Sequence, residues 1–415
     1  MRKCSTEIGY LAPRLLLGIF LLDVGLRFVP LHYFTYRGWE AMTARSAFAD
    51  WHVSEGPFER NKKYFNKNSY GDLAAMANLP DLRWYRREAF VTDEFGYRNA
   101  PGMSRRAPLS AVLVGDSFGA GADNSDGFTL PDALRREGIN VYNAAGVFPR
   151  SLQDILSPVE AVGLKQGWVI CEYLERSESP FALAGPPETW NIRLLKRLLA
   201  VLGPRDGLRA REWASRLFGV SPVKIAAAKC LKRLCDGGIF PNPFANAAVQ
   251  RRVAGAGGDL MLFQRLEIGE YHRCRDCRAL GAAPWTALFT SLSNELAKRD
   301  LKLMVLLVPE KYTVYEPLLE KGDDSAPEGP LYLDVMEKQL AAAGVHTVNL
   351  TPVFRENVGR LAAIDVDLYW ADDSHWAPAG IALAARELSK ALKSVEPSLG
   401  GRRATEMPSG SRSGA

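Results

Sequence analysis

The chain has 415 residues, 47% of them hydrophobic and 24% charged, enough for one large domain or two modest ones with a real core. Its 52 basic and 47 acidic residues give a formal net charge of +5, too small an excess for a molecule that binds nucleic acid over its whole surface. Composition therefore indicates a mostly globular protein and argues against a nucleic-acid partner.

Residues 1–31 carry an apolar run centred on residues 15–22 behind a basic N-terminus. No small-residue cleavage pattern follows the run, which predicts an uncleaved transmembrane anchor with its positive end in the cytoplasm. Asp23 and Arg27 interrupt it four residues apart, a spacing that lets them pair on a helix. The alternative is a buried amphipathic helix, because the uninterrupted run is shorter than the roughly 20 residues of a usual span. With an anchor here, the protein would lie in the inner membrane with its main domain in the periplasm.

Residues 32–105 are rich in aromatic and charged residues without a strong period, and they are predicted to form a membrane-proximal segment. From Ser110 onward, apolar stretches of strand type alternate with stretches of helical period. The predicted strands are SAVLV, INVYN, GWVICEYL, LKLMVLLVP and VHTVNL, and the predicted helices are FTLPDALRREG, WTALFTSLSNELAKRD, VMEKQLAAAG and AGIALAARELSKALKSV. This alternation predicts a doubly wound, three-layer α/β/α domain over residues 106–395, with a parallel sheet covered on both faces.

An insertion at about 181–283 interrupts the alternation and is predicted to be mainly helical. Between Trp190 and Cys235 it has eleven basic and two acidic residues. Two interpretations stay open: a solvated basic face on packed helices, or a surface that contacts an anionic lipid, an anionic glycan or an acidic partner. Residues 396–415 have almost no apolar content and are predicted to be a disordered tail.

Four of the six cysteines, Cys230, Cys235, Cys274 and Cys277, lie in this insertion. In an oxidising compartment they allow three disulfide pairings, among which the sequence does not choose. A zinc site that includes the nearby His272 is the competing interpretation.

The strand VLV runs directly into GDSFGAG, which raises the question whether Ser117 is a nucleophile. A serine becomes nucleophilic when a histidine takes its proton and a carboxylate orients that imidazole. Among five histidines, His375 stands out because Asp372 and Asp373 precede it in a loop before the last helix. A doubly wound sheet exposes such loops at the carboxyl ends of its strands, where Ser117 is also expected. These residues are therefore the candidate catalytic groups.

The two stretches together resemble the SGNH (GDSL) hydrolase superfamily, with Ser117 as the serine of its G-D-S block and His375 as the histidine of its last block. The superfamily's common D-x-x-H spacing favours Asp372 as the orienting carboxylate. A D-x-H-W spacing favours Asp373 instead, and both alternatives stay open.

VYNAAG looks like the second block of that superfamily, which implies that the N–H of Gly146 joins that of Ser117 as an oxyanion donor. The third block, G-x-N-D, is missing. Asn143, Tyr173 and Arg176 are the candidates for the donor that this block would supply.

Finer features resemble the periplasmic alginate O-acetyltransferase branch, whose members carry similar E-x-x-E-R, P-x-K and D-x-H-W stretches. Here these are found in VICEYLERSES, VPEKYTVY and DSHW. In that branch D-x-H-W precedes G-D-S, whereas here the order is reversed, so the likeness concerns the site and covers about 110–180 and 285–395. For these stretches a structural interpretation is equally open, in which Glu175 and Arg176 form an ion pair and Lys311 is a surface charge.

The resemblance implies a membrane-anchored periplasmic O-acetyltransferase that modifies an exported polysaccharide through an acyl-serine. It also implies a membrane-bound O-acyltransferase as acetyl donor, and it requires neither a metal nor a diffusible cofactor. With water as acceptor the same chemistry gives a carbohydrate esterase or deacetylase, which the triad does not separate from a transferase. A non-catalytic glycan-binding subunit of an export complex is the alternative from another class, and intact Ser117 and His375 weigh against it.

Overall fold

The structure is a computed structural model that describes residues 2–27, 56–146, 148–149, 151–177, 221–254, 260–271, 275–319 and 329–400. Its strands are β1 (Lys63–Ser69), β2 (Arg86–Val91), β3 (Ala111–Val114), β4 (Val141–Asn143), β5 (Gly167–Leu174), β6 (Ala248–Arg252), β7 (Leu260–Gln264), β8 (Leu301–Val308) and β9 (His346–Asn349).

Helices flank and connect these strands. In chain order they are α1 (Arg2–Leu26), α2 (Asp72–Met76), α3 (Met103–Arg106), α4 (Ser117–Ala120), α5 (Leu130–Arg136), α6 (Leu152–Ala161), α7 (Pro222–Asp236), α8 (Arg265–Tyr271), α9 (Arg275–Ala297), α10 (Lys311–Tyr315), α11 (Tyr332–Ala342), α12 (Thr351–Ala362) and α13 (Pro378–Val395).

The central sheet has five parallel strands in the order β4-β3-β5-β8-β9. The chain starts in β3, moves outward to β4, and then crosses back to β5 and continues in the other direction. Ligands of doubly wound sheets bind where the order reverses, outside the carboxyl ends of the strands. In this chain that point lies between β3 and β5. The predicted strands and the parallel α/β fold are confirmed.

The two faces of the sheet are covered by separate apolar clusters, as the alternation of side chains along a strand requires. On β3, Leu113 packs with the cluster that contains Phe354 and Leu388 from α12 and α13. Val112 faces the opposite cluster, with Phe289 from α9. Complete burial of one such side chain is worth about 1.5–3 kcal/mol, so both helical layers hold the sheet in place.

Residues 56–105, within the predicted membrane-proximal segment, pack against this domain. They contain the antiparallel pair β1–β2 and the short α2. Phe58, Tyr64 and Phe90 pack together, with the last two rings stacked at a centroid distance of 4.6 Å.

In the described part of the insertion, α7, α8 and the start of α9 cover more residues than the strands do, in line with the sequence prediction. The insertion also includes the antiparallel pair β6–β7, which is joined to the loop before His375 by a hydrogen bond from the Leu262 N–H to the Ala371 carbonyl, 2.8 Å. Most of the basic stretch between Trp190 and Cys235 lies outside the described residues.

Cys230 and Cys235 are both free thiols on α7, so they are not joined to each other. His272 and Cys274 lie outside the described residues, and the side chain of Cys277 does too. The zinc interpretation and the remaining disulfide pairings therefore stay predictions.

The first helix makes the ion pair expected from its sequence, between Asp23 and Arg27 at 2.7 Å. Asp23 also accepts hydrogen bonds from the Ser221 hydroxyl and from the Val223 N–H, which ties α1 to the start of α7. Among the described helices none is both long and apolar enough to cross a membrane, so the transmembrane anchor predicted for residues 1–31 is not supported.

The end of the domain extends slightly into the predicted disordered tail. Glu396 accepts a hydrogen bond from the Trp168 indole N–H, 3.1 Å, and pairs with Lys302 at 2.8 Å. A helical turn follows over Pro397–Gly400, and residues 401–415 lie outside the described residues.

Candidate active site

Ser117 is the first residue of α4, directly after β3, and so it lies at the carboxyl edge of the sheet where the strand order reverses. The residue before it, Asp116, caps the helix, because its carboxylate accepts the Phe118 N–H at 2.9 Å. A short polar residue at this position satisfies a helix N–H that has no partner within the helix. The G-D-S stretch thus contains the residue after the strand, a helix cap and a half-buried serine in the first turn of the helix.

His375 lies 2.8 Å from Ser117, measured from Nε2 to Oγ. Its other ring nitrogen, Nδ1, lies 2.6 Å from Oδ1 of Asp373. The loop that carries both residues is buried, and the Phe118 ring packs against the imidazole with a centroid distance of 4.7 Å. Two segments far apart in sequence therefore meet in the serine, histidine and carboxylate arrangement that acyl transfer requires.

Asp373, and not Asp372, is the carboxylate that orients His375. The Asp372 carboxylate accepts the N–H of Gly71 at 2.7 Å and that of Trp84 at 2.9 Å, and it pairs with Arg86 at 2.7 Å. These partners hold the loop in place. Of the two spacings left open by the sequence, D-x-H-W is the one that matches the geometry.

The charges of His375 and Asp373 support each other. Burial alone would lower the pKa of His375, but the adjacent Asp373 carboxylate outweighs it and raises that pKa above its ordinary value of 6.5. Burial alone would raise the pKa of Asp373, but His375 and then Arg86 bring it well below its usual range. The carboxylate is therefore ionised and able to stabilise an imidazolium.

Residues 69–86 hold the catalytic loop through groups that sequence reasoning missed. The Asp72 N–H donates to Asp373 at 2.7 Å, and the Asp72 carboxylate accepts the N–H and the hydroxyl of Ser374 at 2.7 and 2.6 Å. Arg86 reaches Asp373 at 3.3 Å in addition to Asp372. No periodic or motif signal marks these residues, since their partners lie about 300 residues away in the sequence.

One group in the described part of the chain has the ligand atoms that a metal ion needs. Asp72, Asp373 and His375 offer these atoms within 4.8 Å of one another. The same atoms make the hydrogen bonds that orient His375 and Ser374. These three residues are therefore assigned to the hydrogen bonds of the catalytic loop.

Lys311 is completely buried, which corrects its interpretation as a surface charge. Its ammonium group donates to the carbonyls of Leu262, Trp370, Ala371 and Asp373 at 2.7–3.1 Å. Burial lowers the pKa of Lys311 to about 8, against the opposing effect of nearby carboxylates such as Glu267. Lys311 therefore fastens the backbone of the loop before His375 to β7.

Glu172, on β5, lies directly beneath the serine turn. Its Oε2 accepts the Gly119 N–H at 2.7 Å. A Cβ atom on Gly115 or Gly119 would lie 2.3 or 2.5 Å from that oxygen, so only glycine fits at either position. The glycines around Ser117 thus make room for a buried carboxyl group, and the sequence showed them only as turn residues.

Three of the residues predicted to stabilise an oxyanion have other roles. The Gly146 N–H donates to the Gly115 carbonyl at 3.0 Å, and the Asn143 amide donates to the Gly119 carbonyl at 3.1 Å. Tyr173 is buried on the opposite face of the sheet, where its hydroxyl lies 3.0 Å from that of Tyr332. Gly146 and Asn143 shape the serine turn, and Tyr173 belongs to the core.

Arg176, the fourth candidate, does lie beside the serine turn, with its guanidinium 5.5 Å from the centre of the Phe118 ring. It pairs with Glu310 at 2.7 Å and with Glu267 at 3.4 Å. Glu175 accepts the Glu310 N–H at 2.9 Å, so the E-x-x-E-R and P-x-K stretches interlock at the ends of β5 and β8.

Comparison with known proteins gives one family match and no match among curated proteins. Residues 257–411 match the family model described as SGNH hydrolase-like domain, acetyltransferase AlgX. The match covers residues 257–411 alone, and for these residues it indicates the class of SGNH hydrolase-like domains.

Within that class, the match falls on the AlgX acetyltransferase branch that the sequence motifs resemble, and the resemblance is confirmed for these residues. The matched segment contains Lys311, Asp373 and His375. Ser117 lies before this segment in the sequence, and its hydrogen bond with His375 connects it to the segment.

Proposed function

We propose that this protein is a serine-dependent O-acetyltransferase that acts on a polysaccharide. The observation that carries the proposal is the hydrogen-bonded series from Ser117 through His375 to Asp373, with contacts of 2.8 and 2.6 Å. The match to an acetyltransferase family model supports acetyl as the transferred group.

In the first half-reaction, Ser117 Oγ attacks the carbonyl carbon of an acetyl donor while His375 Nε2 takes its proton. Asp373 stabilises the imidazolium that forms. The tetrahedral intermediate then collapses, the bond to the leaving group breaks, and His375 returns the proton to that group. In the second half-reaction, His375 deprotonates a sugar hydroxyl, whose oxygen attacks the carbonyl carbon of the acetyl-serine. The bond from that carbon to Ser117 Oγ then breaks, and His375 returns the proton to Oγ.

The Ser117 N–H is the proposed oxyanion donor. The N–H groups of the next two residues are already bound, that of Phe118 to Asp116 and that of Gly119 to Glu172. Arg176 supplies positive charge on this side of the site. Its charge lowers the pKa of His375, although burial and the nearby carboxylates have larger effects on that pKa. A fixed donor and a fixed charge at the developing oxyanion stabilise the transition state of acyl transfer.

Exposed aromatic side chains beside the catalytic loop support a sugar acceptor. Trp84 and Tyr85 are 45% and 61% exposed, and the Trp84 N–H binds Asp372. Exposed aromatic side chains provide flat apolar surfaces with a polar edge, which suit a sugar ring. Without such an acceptor the same site would act as an esterase.

Location and donor are further parts of the proposal. The resemblance to a periplasmic branch supports a periplasmic site at the inner membrane, with a membrane-bound O-acyltransferase as the source of acetyl groups. A non-catalytic glycan-binding role is disfavoured by the hydrogen-bonded Ser117–His375 pair.

The test compares the full chain with its Ser117→Ala variant, and with Ser291→Ala as a control on the exposed side of α9. Each protein is mixed with an activated acetyl ester, with and without neutral and anionic oligosaccharides, and the products are read by mass spectrometry. Acetylated sugar from wild type and from Ser291→Ala, but not from Ser117→Ala, is expected. Serine-dependent acetate release without acetylated sugar would instead establish the esterase, and turnover that is unchanged in Ser117→Ala would refute both.

A further inference from the structure

Asp123 lies in the loop after α4, outside the residues that the sequence pointed to. It is 1% exposed, and its Oδ2 lies 3.8 Å from His375 Nδ1. Its backbone has a φ of +59°, in the left-handed region that favours glycine. A buried carboxyl group kept at an unfavourable φ next to a catalytic histidine points to a role in the site.

The surroundings of Asp123 leave one of its oxygens without a donor. Its Oδ1 lies 3.5 Å from the Ser69 hydroxyl and 3.8 Å from the Arg86 guanidinium. No N–H or O–H donor of the described residues reaches the buried Oδ2. Asp373 Oδ1 lies 2.6 Å from the same His375 Nδ1, so the Asp123 and Asp373 carboxyl groups face one ring nitrogen.

Two carboxyl groups form a hydrogen bond only when one of them carries a proton. Asp373 accepts the N–H and Nδ1–H of His375 on Oδ1, and the Asp72 N–H and Arg86 on Oδ2. A carboxyl group that accepts from so many donors is the ionised one. A proton that the two groups share therefore belongs to Asp123.

The charges that face Asp123 agree with this assignment. They are Asp373, Arg86 and Glu88, together with His375. Arg86 is already paired with Asp372 and Asp373, so an ionised Asp123 would add a further negative charge to a buried cluster. Burial, and then the Asp373 charge, raise the pKa of Asp123 well above its ordinary value.

We propose that Asp123 is a positioning residue: a neutral carboxylic acid whose O–H donates to Asp373 and holds that carboxylate against His375. This inference rests on the proposed function of the same site, and it extends the hydrogen-bonded series from Ser117 by one member. The competing role is an ionised Asp123 that acts as a second counter-ion of the imidazolium.

Asp123→Asn separates the two roles, because asparagine keeps the shape, tolerates the left-handed φ and provides an N–H donor in place of the O–H. If Asp123 is neutral, the variant leaves the charge around His375 unchanged. The pKa of His375 should then stay within about 0.3 unit of wild type, measured by NMR titration of the full chain with labelled histidine. If Asp123 is ionised, the pKa of His375 should fall by about one unit or more, which would overturn the proposal.

Asp123→Ala tests the donor itself, with Asp365→Ala as the matched control. Asp365 is an exposed aspartate with a φ of +55°, so its variant carries the same backbone cost without any contact to the site. Asp123→Ala should lower kcat for serine-dependent ester hydrolysis at least about tenfold while KM changes less than about twofold. Asp123→Asn should stay within about threefold of wild type. A loss in Asp123→Asn as large as in Asp123→Ala would also overturn the proposal.

The titration and the turnover assay distinguish failure of the role of Asp123 from failure of the proposed function. The titration of His375 reports the charge of Asp123 whether or not the protein turns over an acetyl ester. Turnover that does not depend on Ser117 would refute the proposed function, whereas a lowered pKa of His375 in Asp123→Asn would refute the role of Asp123 alone.

Discussion

Replacing Asp373 by asparagine removes the charge that faces His375 while it keeps the shape of the side chain. The carboxylate lies 2.6 Å from Nδ1 and also accepts the His375 backbone N–H at 2.7 Å. An amide in this place provides no negative charge for the imidazolium. It also favours the tautomer in which Nδ1 is the acceptor, so that Nε2 carries the proton and cannot take one from Ser117.

The size of the effect follows from the geometry. A unit negative charge about 4 Å from the centre of an imidazolium is worth about 4 kcal/mol at an effective dielectric constant of 20. Each 1.36 kcal/mol changes a rate about tenfold, so loss of the charge lowers kcat by about 10³-fold. The wrong tautomer adds to this loss, and we expect a total of about 10³- to 10⁴-fold.

Asp372→Asn is the matched control, since it makes the same chemical change one residue away. Asp372 binds Arg86 and the N–H groups of Gly71 and Trp84. Losing the charge-assisted contact should lower the free energy of unfolding by about 1.5–3 kcal/mol. The effect on kcat should stay below about tenfold, because no contact to His375 is removed.

The assay is serine-dependent hydrolysis of an activated acetyl ester at saturating substrate, together with urea unfolding of each variant. The expected pattern is a large loss of kcat with modest destabilisation in Asp373→Asn, and the reverse in Asp372→Asn. Equal losses of kcat in both variants, or more than about a tenth of wild-type kcat in Asp373→Asn, would refute the assignment of Asp373.

Three further predictions concern the base, the buried lysine and the acceptor side. Asp373 raises the pKa of His375 against the effect of burial, and the neutral imidazole is the active form. The value of kcat/KM should therefore fall with decreasing pH, with a midpoint above 6.5. A midpoint below about 6 would contradict this. Lys311→Met leaves buried carbonyl acceptors without their donor and should lower the free energy of unfolding by about 3 kcal/mol or more, so an unchanged urea midpoint would contradict the role of Lys311. Trp84→Ala should reduce acetyl transfer to an oligosaccharide roughly tenfold with acetate release unchanged, and an equal loss of both rates would argue against a sugar contact.

The sheet and the meeting of Ser117 with His375 were predictable because their signals are local. Apolar runs such as LKLMVLLVP define strands by composition, and each motif carries its own reactive residue. Parallel topology then brings strand ends to one edge of the sheet. Tyr173, a candidate for the missing oxyanion donor, shows the limit of such reasoning. Alternation along β5 places it on the opposite face from Glu172, the side chain that lies under the serine turn.

The support of the site was not predictable, because its contacts join residues that are far apart in the sequence. Arg86 and Asp72 approach the catalytic loop from a segment without hydrophobic period, and Asp123 lies in a turn. Nothing in the sequence distinguishes Lys311 from an exposed lysine, whereas in the structure its ammonium group lies among four carbonyl groups. Tertiary contacts of this kind determine burial and charge, and neither can be read from one residue and its neighbours in sequence.

The central claim is that Ser117 carries the acetyl group during transfer. The most direct measurement is mass spectrometry of the intact protein and of its peptides, quenched shortly after mixing with an activated acetyl ester. We expect one acetyl group on the peptide that contains Ser117, which disappears when an oligosaccharide acceptor is added and reappears on the sugar. Acetylated sugar formed without acetyl-Ser117, or formed equally by Ser117→Ala, would contradict it.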